Sequence, residues 1–188
     1  CNLTYNRAYN NPNTTFNDGV GFFLKNVTSF RVFNNTAYAE PGSFQQGGLV
    51  LTGKSSSNRI TLNNFTNNVY GLFSLESANN QFNGNIMRNN TAVGFYLSAS
   101  NNTTLYIDLY SNNSVDLMVN SSGFSSDSLN ISENLFISPA SPIDIFDLTT
   151  LVDFTNLSLI DSDMTNEYFT INWTTNESAL PPGHSSFR

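Results

Sequence analysis

A chain of 188 residues with a net charge of −7, two lysines and five arginines has no basic patch and offers no groove for a phosphate backbone. Charged residues are only 11% of the total, and their place is taken by 31 Asn, 24 Ser and 18 Thr. That polar, uncharged surface suits glycans and protein neighbours better than nucleic acid. The single cysteine forms no intrachain disulfide, and no run approaches the roughly 20 apolar residues of a membrane span.

In chain order, residues 1–18 read as a partial N-terminal coil blurred by Pro12. Cys1 stands where a lipidated mature terminus or a fragment boundary would. Residues 19–46 begin GVGFFLKNVTSFRVFNN and run long, with AEPGSFQQ as a loop insertion. Three units of near-constant length follow at 47–69, 70–91 and 92–114, and 115–137 keeps that length. Asn-Asn returns at Asn67-Asn68, Asn89-Asn90 and Asn112-Asn113, in steps of 22 and 23 residues. A second series runs through Asn58, Asn79-Asn80 and Asn101-Asn102, and glycine marks the beat at Gly48, Gly71 and Gly94. In the last unit Asp116 takes the glycine position, which reads as adaptation of a turn. The tail, 138–188, breaks the beat after Pro139 and Pro142 and carries four further apolar runs.

A fixed period in the low twenties marks a solenoid, in which each repeat buries its apolar face on the next. Short alternating runs such as Phe95-x-Leu97 and Leu105-x-Ile107-x-Leu109 are strand signals, and no helical period is sustained. The expected fold is all-β: a parallel β-helix of five to six coils over 19–137, with a β-rich cap, docking or assembly segment at 138–188. Asn tolerates the left-handed backbone of a sharp turn, and stacked amides can bond from coil to coil. Asn67, Asn68, Asn79, Asn80, Asn90 and Asn113 are therefore expected to be structural.

The units YGLFSLESANNQFNGNIMRNNTAVGFYLSASNNTT resemble the right-handed parallel β-helix repeats of pectin-lyase-like folds. They are most similar to Asn-rich, carbohydrate-related repeat proteins of archaeal and some bacterial cell surfaces. The resemblance implies the fold and leaves function to the sites. Some relatives of such repeats are associated with copper delivery, which wants grouped soft ligands. Here Cys1, Met87, Met118, Met164 and His184 are scattered. The polygalacturonase patterns Asn-Thr-Asp, Asp-Asp, His-Gly and Arg-x-Lys are absent, so no catalytic residue and no enzymatic activity are expected.

Fourteen sequons point instead to covalent N-glycans: Asn2, Asn13, Asn26, Asn34, Asn64, Asn89, Asn101, Asn102, Asn112, Asn120, Asn130, Asn156, Asn172 and Asn176. No cofactor is expected, and the only metal candidates are calcium ligands at Asp161, Asp163 and Glu167. Phe169, Ile171 and Trp173 form an alternating apolar strand, a candidate for burial on its own chain or for assembly by strand docking. The leading expectation is an extracellular, glycosylated subunit of a filament, surface layer or adhesin whose partner is another copy of itself. The alternative is a glycan-binding module or a fragment of a polysaccharide-processing β-helix enzyme.

Overall fold

The computed structural model describes residues 1–12, 19–120, 128–132, 134–136, 143–146, 151–155, 158–159 and 171–173. Side chains are described through residue 120 and at Asn134. Asn13, Asn156, Asn176, Asp161, Asp163, Glu167, Phe169, Met164 and His184 lie outside the described residues.

Among the described residues every element is a strand. The chain opens with β1 (Asn2–Thr4) and β2 (Arg7–Tyr9). The first long coil holds β3 (Val20–Lys25), β4 (Arg31–Phe33) and β5 (Thr36–Tyr38). The next holds β6 (Gly47–Thr52), β7 (Arg59–Thr61) and β8 (Asn64–Thr66). Then come β9 (Tyr70–Leu75), β10 (Gln81–Asn83) and β11 (Ile86–Arg88), followed by β12 (Val93–Ser98), β13 (Thr103–Tyr106) and β14 (Leu109–Ser111). Beyond them run β15 (Val115–Asn120), β16 (Ser128–Ser132), β17 (Leu135–Phe136) and β18 (Ile143–Phe146). The last are β19 (Leu151–Thr155), β20 (Ser158–Leu159) and β21 (Ile171–Trp173).

Successive triplets stack in parallel into three seven-stranded sheets among the described residues. Sheet A runs β1-β4-β7-β10-β13-β16-β19, and sheet B runs β2-β5-β8-β11-β14-β17-β20. Sheet C, built from the longest strands, runs β3-β6-β9-β12-β15-β18-β21. This is a parallel β-helix. The strands after residue 137 join the same three sheets, and Ile171 and Trp173 pair with Ile143 and Ile145 of their own chain.

The core is a set of columns, one residue per coil. Val32, Ile60, Phe82 and Leu105 come from sheet A, Ala37, Phe65, Met87 and Tyr110 from sheet B, and Leu49, Leu72, Phe95 and Leu117 from sheet C. Phe82 and Phe95 meet edge to face across it at 4.6 Å. Glycine is needed where coils come closest. A Cβ on Gly71 would stand 2.5 Å from the Gly94 carbonyl, and one on Gly48 would lie 2.9 Å from Phe65 Cβ. The register of sheet C passes over this glycine: Tyr70 pairs with Val93, then Leu72 with Phe95. Glycine and the next residue therefore both face inward, like a bulge, and the parity of the strand flips.

Candidate functional site

The turns between sheets carry the asparagines. Many of these turns place one residue at positive φ, which Asn adopts at little cost, and the next residue, often a second Asn, inward. Asn67, Asn79, Asn89 and Asn112 occupy the first kind of position, with φ of 54–57°, and are exposed. Asn68, Asn80, Asn90 and Asn113 occupy the second and are buried. Their amides form ladders: Asn68 N donates to Asn90 Oδ1 at 3.1 Å, and Asn90 Nδ2 donates to Asn113 Oδ1 at 2.8 Å. Asn58 donates to Asn80 Oδ1 in the same way.

A third ladder, Asn6–Asn35–Asn63–Asn85–Asp108–Asn134, lies between sheets A and B. No Asn-Asn beat announces it, because its outer neighbours vary: Tyr5, Asn34, Leu62, Gly84 and Ile107. The inward residues alone recur, at spacings of 29, 28, 22, 23 and 26.

Asp108 is the acid in this ladder. Its Oδ1 accepts from Asn85 N at 2.7 Å and Asn85 Nδ2 at 2.9 Å, while its own N–H donates to Asn134 Oδ1 at 2.8 Å. Its Oδ2 is buried without a donor. In the neighbouring rungs that position is an Nδ2 donating to a backbone carbonyl, as Asn85 does to Ile60 O at 2.8 Å. A carboxyl fits there only as the acid form, whose O–H can donate. Burial accordingly raises Asp108 to about 7, against the lowering effect of the Asn85 bonds. Asp116 lies inside β15 rather than in a turn, and its Oδ1 receives Asn113 Nδ2 at 2.8 Å. Burial raises it to about 7 as well. Tyr110 is pushed well above its usual value by burial, then by Asp108 and Asp116. These acids are sealed in the core, out of reach of a polymer.

The outer face of sheet C is different. Val50, Phe73 and Tyr96 follow the inward Leu49, Leu72 and Phe95 and point away from the core. The parity flip brings Val20 and Tyr70 to the same side, and all of these, with Leu75, form an apolar cluster of their own. Phe73 and Tyr96 sit edge to face at 4.9 Å, Tyr70 and Phe73 likewise at 6.0 Å, and Tyr70 stacks on Tyr96 at 6.4 Å. Tyr70 and Tyr96 are half-buried and Phe23, in the same column, is exposed. Asn120 Nδ2 donates to Tyr96 Oη at 3.4 Å, and Thr52 and Ser98 border the rings on the Asn120 side. Sequence reasoning did not single out this patch, because the alternation of one strand does not show that Val50, Phe73 and Tyr96 stack as register neighbours.

Of the sequon asparagines, Asn2, Asn26, Asn34, Asn89, Asn102 and Asn112 are exposed, and Asn64, Asn101 and Asn120 are half-buried. Asn130 lies in β16 and Asn172 in β21. The soft ligands do not converge: Met87 is buried in the core on sheet B, Met118 lies in the outward column of sheet C, and Cys1 is exposed at the first residue. Among the described residues no three His, Cys, Asp or Glu are grouped for a metal ion.

A family model described as periplasmic copper-binding protein (NosD) matches residues 2–179. The crystal structure of the periplasmic alginate epimerase AlgG is similar at 21% identity with a TM-score of 0.67, covering 85% of this chain and 39% of that one. A double mutant of AlgG is similar at 21% identity and a TM-score of 0.66, covering 84% and 39%. The chain thus spans about two fifths of the AlgG structures it matches. The A-module of the Azotobacter vinelandii mannuronan C-5 epimerase AlgE4 matches at 14% identity and a TM-score of 0.47, covering 91% and 58%. No curated protein resembles the chain closely enough to count as a match.

These findings correct the expectation of a non-enzyme. Solved proteins with this fold include epimerases, so the missing polygalacturonase patterns do not set the chain apart from catalytic β-helices. The filament or surface-layer reading likewise gives way to the carbohydrate alternative. For copper, the described residues offer no site: the exposed thiol, the core thioether and the outer thioether lie on different elements.

Proposed function

The chain belongs to the NosD family, described as periplasmic copper-binding protein, and from that premise we propose that it is an exported β-helix that binds polysaccharide along the outer face of sheet C. The observation that carries this is the half-buried pair Tyr70 and Tyr96, stacked on the outer side of sheet C against the buried Phe73 and bordered by hydroxyl and amide side chains. Aromatic rings present apolar faces that fit the C–H faces of sugar rings, while Ser98, Thr52 and Asn120 supply hydrogen bonds to hydroxyls. The similarity to alginate epimerases supports a carbohydrate ligand, and the family description supports an exported location.

The same column offers a place for chemistry. Its register runs Phe23, Val50, Phe73, Tyr96, Met118 and on to Asp144 and Asn172. Asp144 is thus the carboxyl residue to test as a proton-transferring group. Affinity electrophoresis against neutral and acidic polysaccharides tests binding: Tyr70→Ala/Tyr96→Ala should abolish retardation that the parent shows. NMR of the recovered polymer reads any change of sugar composition, which Asp144→Asn should remove. A parent chain that retards no polysaccharide sinks the proposal.

A further inference from the structure

A second surface stands apart from sheet C. On sheet A, Val32 and Ile60 face the core, so their neighbours Arg31 and Arg59 face outward. The two arginines are register partners on adjacent strands, and both are exposed. Like charges directly opposite on neighbouring strands repel. Among the described residues neither guanidinium has an ion-pair partner to offset this.

We propose that Arg31 and Arg59 form an anion-binding strip on sheet A for a polysaccharide that carries carboxylate groups. The Arg31 guanidinium lies over the Phe33 ring at 4.3 Å, which fixes its plane and leaves its N–H edge free. A planar fork held this way matches a carboxylate with two parallel hydrogen bonds. The next strand places Arg59 about 4.8 Å further along the helix axis. That step is close to the length of one pyranose unit, so consecutive acidic sugars would meet consecutive arginines.

The surroundings favour a sugar chain over other polyanions. Gln81 and Thr104 continue the arginine column, and Thr61, Asn83 and Tyr106 continue the Phe33 column. They offer neutral hydrogen-bonding groups suited to hydroxyls. Tyr5, 72% exposed and edge-on to Phe33 at 5.7 Å, and Leu62, 53% exposed, supply apolar surface for ring faces. A nucleic acid would demand more cations than two in a chain of net charge −7.

The strip shares only its ligand class with the proposed role of sheet C, and the two separate in one experiment. Titration calorimetry of the whole chain would use polygalacturonate, neutral dextran and an oligothymidylate as probes. Polygalacturonate should bind, weaken with added salt, and lose about tenfold in affinity in Arg31→Gln/Arg59→Gln. Arg59→Lys, which keeps the charge and loses the fork, should fall between. Arg88→Gln, exposed on sheet B, should bind like the parent. Circular dichroism confirms that the double variant is folded. The proposal is overturned if polygalacturonate does not bind, if the double variant binds it equally, or if oligothymidylate binds as tightly. Dextran reports sheet C: its failure to bind, with polygalacturonate behaving as expected, leaves the strip standing.

Discussion

Replacing Asp108 by Asn should make the protein more stable at neutral pH and flatten its response to pH. The folded chain holds the Asp108 proton up to about pH 7, whereas an exposed carboxyl releases it near 3.8. Between those values the native state binds one proton more than the unfolded state, so stability falls as pH rises and levels off above the folded value. One proton over about three pH units, at about 1.4 kcal/mol per unit, gives a loss of about 4 kcal/mol. Asp116, raised to about 7 by the same cause, contributes a similar slope of its own. In Asp108→Asn the Nδ2 takes the place of the buried Oδ2 and can donate as Asn85 does to Ile60 O. The assay is urea unfolding followed by far-UV circular dichroism, from about pH 4 to about pH 8. The variant should lose about half of the parent's pH-dependent destabilisation. An unchanged slope, or a variant weaker than the parent at neutral pH, would refute the assignment of Asp108 as a neutral rung.

Other substitutions test other parts of the architecture. Asn85→Ala removes bonds to Asn63, Ile60 and Asp108 and orphans buried partners, so urea melts should show a loss of about 3–5 kcal/mol. Gly71→Ala drives a methyl toward the Gly94 carbonyl and the Asn90 amide, and should cost about 3 kcal/mol in the same assay. Ile107 holds φ at 54° with its side chain 47% exposed; Ile107→Asn should raise stability by about 1 kcal/mol, read as a higher melting temperature.

The period of the helix was legible because two signals coincide, glycine at the closest approach of coils and Asn-Asn at the turn into sheet C. Both are backbone requirements, and backbone requirements repeat. The Asn35–Asn63–Asn85 ladder escaped notice because its exposed neighbours are free to vary once a positive φ is met, even by Leu62 and Ile107. The aromatic face of sheet C was hidden for a related reason. The run Phe95-x-Leu97 already turns Tyr96 away from the core, but the glycine that faces inward beside Leu72 also turns Tyr70 outward, which counting in twos would not do. The ionisation of Asp108 and Asp116 could not be read from composition, which counts them as two negative charges; burial in the core holds both as acids below neutral pH.

The long coil at 19–46 shows how such a molecule can change without coming apart. Where the other coils place an asparagine at the turn into sheet C, this one places Gln45, after the loop containing Pro41 and Gly42. Gln45 Nε2 still reaches Asn68 Oδ1 at 2.9 Å, and its Oε1 still receives Asn11 Nδ2 at 2.9 Å. One extra methylene bridges the displacement that the loop introduces. At this one turn the longer arm closes the rung that the loop would otherwise leave open. Elsewhere Asn and Asp close rungs between residues 28, 22 and 23 apart, so extra residues are taken up in the connections between strands while the rungs stay in register.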